Sequence, residues 1–307
     1  MLITGEGVQQ EMEEGVRLLT EAADAGFAPA QNSLGLSYDF GQGVAQDYEA
    51  AARWYRAAAE QGMSKAQSNL GLMYQEGLGV PRDYVAAAAW FQLAVDQGDA
   101  SAQVNLGKLL QDGLGRSADP RQAAEFYRLA AEQGDMYGQN NLAFLLENGI
   151  GVEPDIERAA TLYEEAADQG LALAQHNLAL LYEDGRGVDR DYERALELYK
   201  AAADGGEMRA AVNLGLLYLE GRGTEVDYEE ALRWTEVAAD EGQPVAINNL
   251  GHIYENGLGV DADREAAIEY YQSAADQGYD LAKDNLARLT GEDEPTSGGK
   301  TKTKRPS

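Results

Sequence analysis

AQSNLGLMYQEGLGVPRDYVAAAAWFQLAVDQG, running from Ala66 to Gly98, is one copy of a sentence that the chain rewrites every 36 residues without insertion. The leucine of its Asn-Leu-Gly falls at Leu34, Leu70, Leu106, Leu142, Leu178, Leu214, Leu250 and Leu286. A constant period of this length marks stacked supersecondary units, each too small to bury its own apolar face and each covered by the next.

Within the copy, Ala66, Leu70 and Tyr74 lie four apart, which predicts a first helix over 64–75 with the small Gly71 on the same face. Gly77 ends it. The segment Gly79-Val80-Pro81-Arg82 is loop, and Asp83 stands one residue before a second helix. Ala87, Trp90, Phe91 and Ala94 form the core face of that helix, and Gly98 closes it. The aspartate recurs as Asp47, Asp83, Asp119, Asp155, Asp191, Asp227 and Asp263. It is read as a helix cap rather than a metal ligand, because its carboxylate can accept the free N–H groups of the first turn, worth about 1 kcal/mol each. Helices of this length are marginal alone, so each must bury its stripe against both neighbours. The small column Ala58, Ala94, Ala130, Ala166, Ala202, Ala238 and Ala274 permits close approach, and Trp54, Trp90, Phe126 and Trp234 fill the space between. The expected fold is all-α, a stack of helical hairpins with about sixteen helices.

Although 307 residues would suit two domains, the unbroken register argues for one elongated array. Residues 1–26 read as a partial repeat: a loop remnant at Gly5-Glu6-Gly7-Val8 and a second helix only. Such a start is either a degenerate cap or the broken edge of something longer. Residues 27–278 hold seven full repeats, 279–291 a terminal first helix, and 292–307 a low-complexity tail expected to be disordered. Lys300, Lys302, Lys304 and Arg305 make that tail locally basic, which reads as solvation rather than a nucleic-acid or import signal.

The formal net charge is −29, from 53 acids and 24 bases. That opposes nucleic acid and anionic membranes as partners and keeps a long array soluble. Lysine is scarce, seven against 17 arginines, which also suits a salt-adapted proteome. There is no cysteine for a disulfide or thiolate site, and no apolar run reaches membrane-spanning length. The first residues lack the features of a secretory signal, so as written the chain is expected to be cytoplasmic.

The repeated text A-x-x-N-L-G-x-x-Y-x-x-G-x-G-V-x-x-D-Y-x-x-A-x-x-W-Y-x-x-A-A-x-Q-G resembles the Sel-one-like repeat family, a branch of the tetratricopeptide-type helical repeats. It is nearly whole at Ala66–Gly98 and weaker from Ala30 to Gly278. Departures are local: Leu110 and Leu146 replace the first-helix Tyr, Arg116 and Thr224 the loop Val, and Gly138 the Ala. The resemblance implies a right-handed α–α superhelical solenoid acting as a non-enzymatic scaffold or adaptor, with no cofactor or metal, a protein or peptide partner on the concave face, and a monomeric state. Some members are cysteine-stapled and linked to β-lactam hydrolysis. The paired cysteines and the Ser-x-x-Lys with Lys-Thr-Gly of a serine β-lactamase are missing here, so a hydrolase-like or small-molecule-binding solenoid is the alternative, as is a structural or regulatory segment of a longer protein.

Two kinds of position are candidates for recognition. The constant column Asn69, Asn105, Asn141, Asn177, Asn213, Asn249 and Asn285 could hydrogen-bond a peptide backbone, as the resemblance implies, or tie the array together internally. Partner choice should lie in variable columns of the first helix. One contains Lys65, Tyr137, Leu173 and Arg209; another Leu72, Lys108, Phe144, Leu180, His252 and Arg288; a third, one before the Asn, contains Asn32, Asn140, His176 and Asn248. On this reading Tyr137, Phe144, Leu173 and Leu180 form an apolar strip, flanked by Lys65 and Lys108 on one side and Arg209, His252 and Arg288 on the other, suited to a peptide or helix. His176 and His252 are the two histidines and read as isolated groove residues rather than a catalytic pair. Glu147, Glu183 and Glu255 read as a solvated face. Each Gly-x-Gly follows a helix, so a dinucleotide loop is excluded.

Overall fold

The computed structural model describes the backbone of residues 5–291 and side chains from residue 12 onward. Within that range the chain is sixteen helices and no strand: α1 (Gly5–Asp24), α2 (Ala28–Phe40), α3 (Tyr48–Glu60), α4 (Ser64–Glu76), α5 (Tyr84–Val95), α6 (Ala100–Asp112), α7 (Pro120–Glu132), α8 (Met136–Asn148), α9 (Ile156–Asp168), α10 (Ala172–Asp184), α11 (Tyr192–Asp204), α12 (Met208–Glu220), α13 (Tyr228–Asp240), α14 (Pro244–Asn256), α15 (Arg264–Asp276) and α16 (Asp280–Thr290). None is long and apolar enough to cross a membrane. Two compact units divide the chain, Met1–Asp155 and Ile156–Ser307. Inside each unit every helix packs on the one before and the one after. This nearest-neighbour pattern is how hairpins bury apolar faces that none could bury alone.

At the N-terminus, α1 is already helical from Gly5, so the loop remnant expected over Gly5–Val8 is absent. The tail 292–307 lies outside the described residues.

The aspartates act as caps. In Asp47, Asp83, Asp119, Asp191, Asp227 and Asp263 the side chain accepts from N–H groups of the following first turn. The backbone N–H of each also closes the hairpin, as in Asp83 N to Tyr74 O at 2.9 Å. The second glycine of Gly-x-Gly has a steric cause. Gly79 has φ +65°, and a Cβ there would lie 2.0 Å from the carbonyl oxygen of Tyr48 on the preceding hairpin. The loop can rest on that helix end only without a side chain.

The core follows the leucine and alanine columns. Leu34, Leu70, Leu106 and Leu214 are fully buried, as are all seven alanines from Ala58 to Ala274. The large filler is a column one residue beyond the tryptophans: Tyr55, Phe91 and Tyr127 in the first unit, and Tyr163, Tyr199 and Tyr271 in the second, none more than 1% exposed. Trp54 and Trp90 are half-buried by comparison. Gly71 of Asn-Leu-Gly exists for this column, since a Cβ on it would stand 2.5 Å from Phe91 Cε1.

Candidate functional site

Every first helix places two variable positions seven residues, or two turns, apart on one side. In the first unit this side is open. Lys65, Leu72, Ser101, Lys108, Tyr137 and Phe144 are all exposed, Tyr137 to 51% and Phe144 to 42%. Lys108 reaches Asp112 at 3.5 Å across one helical turn. The same positions close up in the second unit. Leu173, Leu180 and His252 are half-buried, and Leu216 is 2% exposed. Arg209 is held by Glu207 at 2.9 Å, and Arg288 by Glu255 at 2.7 Å. These two arginines are therefore internal ion-pair partners rather than free rim charges.

The asparagine column is largely occupied within the chain. Asn69 Nδ2 donates to Asn32 Oδ1 at 3.1 Å, and Asn285 Nδ2 to Asn248 Oδ1 at 2.9 Å, each joining successive first helices. Asn141 accepts from Asn140 at 3.2 Å. Asn213 and Asn249 are 1% exposed, while Asn69, Asn105 and Asn177 are half-buried. The column just before it, expected to line a groove, is interior: Asn32, Ser68, Asn140, His176, Val212 and Asn248 are all buried. His176 has no exposure, and its ring stands 5.7 Å from that of Tyr199. Burial lowers its pKa to about 4, with Arg209 reinforcing the shift and Glu207 opposing it. It is a neutral core imidazole and not a groove residue. His252 is also shifted down, by burial and by Arg288 against the pull of Glu255.

Three acids that end first helices meet tyrosines 16 residues later. Tyr55 donates to Asp39 at 3.0 Å, Tyr199 to Glu183 at 2.8 Å, and Tyr271 to Glu255 at 2.8 Å. Glu183 is 3% exposed, so the expectation of a solvated glutamate face is wrong. The acid–tyrosine offset is constant in the sequence, but acid and tyrosine lie on different helices and their pairing shows only once the hairpin closes. Burial would raise the Glu255 carboxyl, yet hydrogen bonds from Arg288 and Tyr271 outweigh it and hold it below its ordinary range. Asp39 goes the other way: burial raises it, and the Tyr55 hydroxyl only partly offsets this.

Beside Asp39 the first unit has a hollow of ≈ 340 Å³ between α2 and α4, lined by Asp39, Phe40, Tyr48, Asn69, Leu72 and Leu78 among others. Sequence reasoning found Asn69 and Leu72 but not the hollow. Among the described residues no group of three or more acidic or histidine side chains could hold a metal ion.

Comparison with known proteins agrees with this architecture. The Sel1 repeat model matches residues 1–27, 28–63, 64–99, 100–135, 137–171, 172–207, 209–243 and 244–279. A protective antigen of uropathogenic Escherichia coli strains displaying an SLR fold is 34% identical, with a TM-score of 0.79 over 89% of this chain and 59% of that one. The chain thus spans under two thirds of that antigen's length. A Sel1 repeat protein from Oxalobacter formigenes is 30% identical, with a TM-score of 0.70 over 80% of this chain and 96% of that one. No curated protein matches the chain. Sel1 repeat proteins commonly serve as protein-interaction scaffolds. With repeats matched from residue 1 to 279 and the helical hairpins described above, the chain belongs to the Sel1 repeat family.

Proposed function

We propose that the chain is a non-enzymatic scaffold that binds a partner polypeptide, as an extended peptide or a helix, along its first-helix face. The observation that carries this reading is the pair Tyr137 and Phe144. They lie two turns apart on α8, are 51% and 42% exposed, and stand among first helices whose leucine column is buried. Covering the exposed half of an aromatic side chain of this size gains about 1 kcal/mol, so that the two neighbours together can anchor a partner. Lys65 and Lys108 give the same side a few positive charges on an otherwise acidic chain. The asparagines contribute where they keep exposure, at Asn69, Asn105, Asn141 and Asn177, while Asn213 and Asn249 are buried and Asn285 ties its helix to the preceding first helix through Asn248. Binding as a monomer in the cytoplasm, without nucleic acid or cofactor, belongs to the same reading.

The test is capture of partners by the immobilised full chain against a Tyr137→Ala/Phe144→Ala variant. Both side chains are exposed, so the variant is expected to melt as the parent does and to lose the captured protein. Identical capture at equal strength overturns the reading.

A further inference from the structure

The hollow at Asp39 has two counterparts in the second unit that carry their own cation. Arg288 Nη2 stands 2.7 Å from Glu255 Oε2, and Arg222 Nη1 stands 3.6 Å from Glu183 Oε1. Arg222 also lies over the Tyr192 ring, 5.7 Å from its centroid. Arg288 follows its acid by 33 residues and Arg222 follows its acid by 39. The same offsets from Asp39 land on Leu72 and Leu78, and the counterpart of Tyr192 is Tyr48. All three line the hollow. The first unit therefore repeats the carboxylate and the ring but puts leucine at both cation positions. Among the described residues the Asp39 carboxylate has one partner, the Tyr55 hydroxyl on Oδ2. Glu76 adds a second carboxylate at the wall, and Phe40, 64% exposed, an apolar mouth.

We propose that this hollow takes an arginine side chain from a bound polypeptide, its guanidinium set between Asp39, Glu76 and the Tyr48 ring, and an adjoining apolar residue lying on Phe40 and Leu72. Arginine fits better than lysine because a planar guanidinium can meet a carboxylate and an aromatic face together. The proposal rests on the scaffold reading and names one subsite of it. An arginine brought from outside would do for Asp39 what Arg288 does for Glu255, replacing water on a partly buried carboxylate with a charged donor.

Methyl-labelled full chain titrated with acetyl-Leu-Arg-amide tests this, beside the isosteric citrulline peptide and the lysine peptide. Leu72 and Leu78 methyl signals should shift and saturate with the arginine peptide, with affinity at least about tenfold better than for citrulline. Asp39→Asn should lose the response while keeping its other signals. Leu72→Arg, which rebuilds the Arg288–Glu255 arrangement internally, should lose it as well. No shift at Leu72 and Leu78, equal binding of citrulline or lysine, or an undiminished response in either variant overturns the proposal. So do Leu72 shifts that grow with protein concentration alone, which would make the occupant the Lys300–Arg305 segment of another copy. Partner capture through Tyr137 and Phe144 is scored separately. Failure at Asp39 with that capture intact discards the arginine subsite and leaves the scaffold reading standing.

Discussion

The Tyr199 hydroxyl donates to Glu183 Oε2 at 2.8 Å, from a side chain with no exposure to a carboxylate that is 3% exposed. A buried carboxylate that loses a short hydrogen-bond donor loses part of what offsets its desolvation, and Arg222 at 3.6 Å is too far to replace that bond. Tyr199→Phe should therefore destabilise the chain by about 1–3 kcal/mol in urea unfolding. The array contains the paired change: where the tyrosine column reads Thr235, the acid column reads Leu219. Glu183→Leu combined with Tyr199→Phe should cost clearly less than the sum of the single changes. Additive losses would show that the pair is not coupled.

The same column predicts a gain. At Phe91 there is no hydroxyl, and the opposing Gln75 Oε1 is buried without a hydrogen-bond partner. One repeat later Tyr127 donates to Gln111 Oε1 at 3.0 Å in the equivalent arrangement. Phe91→Tyr should supply the missing donor and raise stability by about 1 kcal/mol, read as a higher urea midpoint at unchanged slope.

Two glycines of one repeat should respond differently to alanine. Gly79 and Gly98 both have positive φ, +65° and +84°. A Cβ at Gly79 meets backbone at 2.0 Å, whereas at Gly98 nothing lies within 4 Å. Gly98→Ala should cost about 1 kcal/mol, the conformational term alone. Gly79→Ala should cost about 3 kcal/mol or more, since the loop must leave the α3 end. Equal midpoints for the two variants would disprove the contact.

His176 should make the second unit sensitive to acid. Its pKa falls from 6.5 to about 4 on folding, through burial and then Arg209, with Glu207 opposing. The unfolded chain therefore binds a proton before the native one does. The stabilising contribution is whole above pH 6.5 and is lost as pH falls toward 4. Between pH 7 and 5 the loss is about 2 kcal/mol. His176→Asn, which installs the residue found at Asn140 and Asn248, should remove that slope. Parallel pH profiles for parent and variant would show that the buried imidazole is not the cause.

Read as text, the chain determined a good deal by itself. The 36-residue period, the four-residue spacing of Ala66, Leu70 and Tyr74, the closing glycines and the capping aspartates all act within a dozen residues. Local propensity and hairpin closure were therefore enough to give the helices, their number and their caps. Constancy across copies also pointed to packing at Leu70 and Ala94, because a position that touches its own copy in the next repeat cannot vary freely.

The tertiary structure decided what depends on a residue 16 to 39 positions away. The acid column read as surface because glutamates at helix ends are soluble in isolation; the tyrosine hydroxyl of the next helix makes it interior. His176 read as a groove residue for the same reason, until Tyr199 of α11 stood beside its ring. Arg288 looked free until Glu255, on the preceding first helix, was placed beside it. The hollow at Asp39 is lined by Leu72 and Leu78, at the positions that Arg288 and Arg222 hold beside their own acids. That absence of arginine has meaning only once the neighbouring helices show what the position faces.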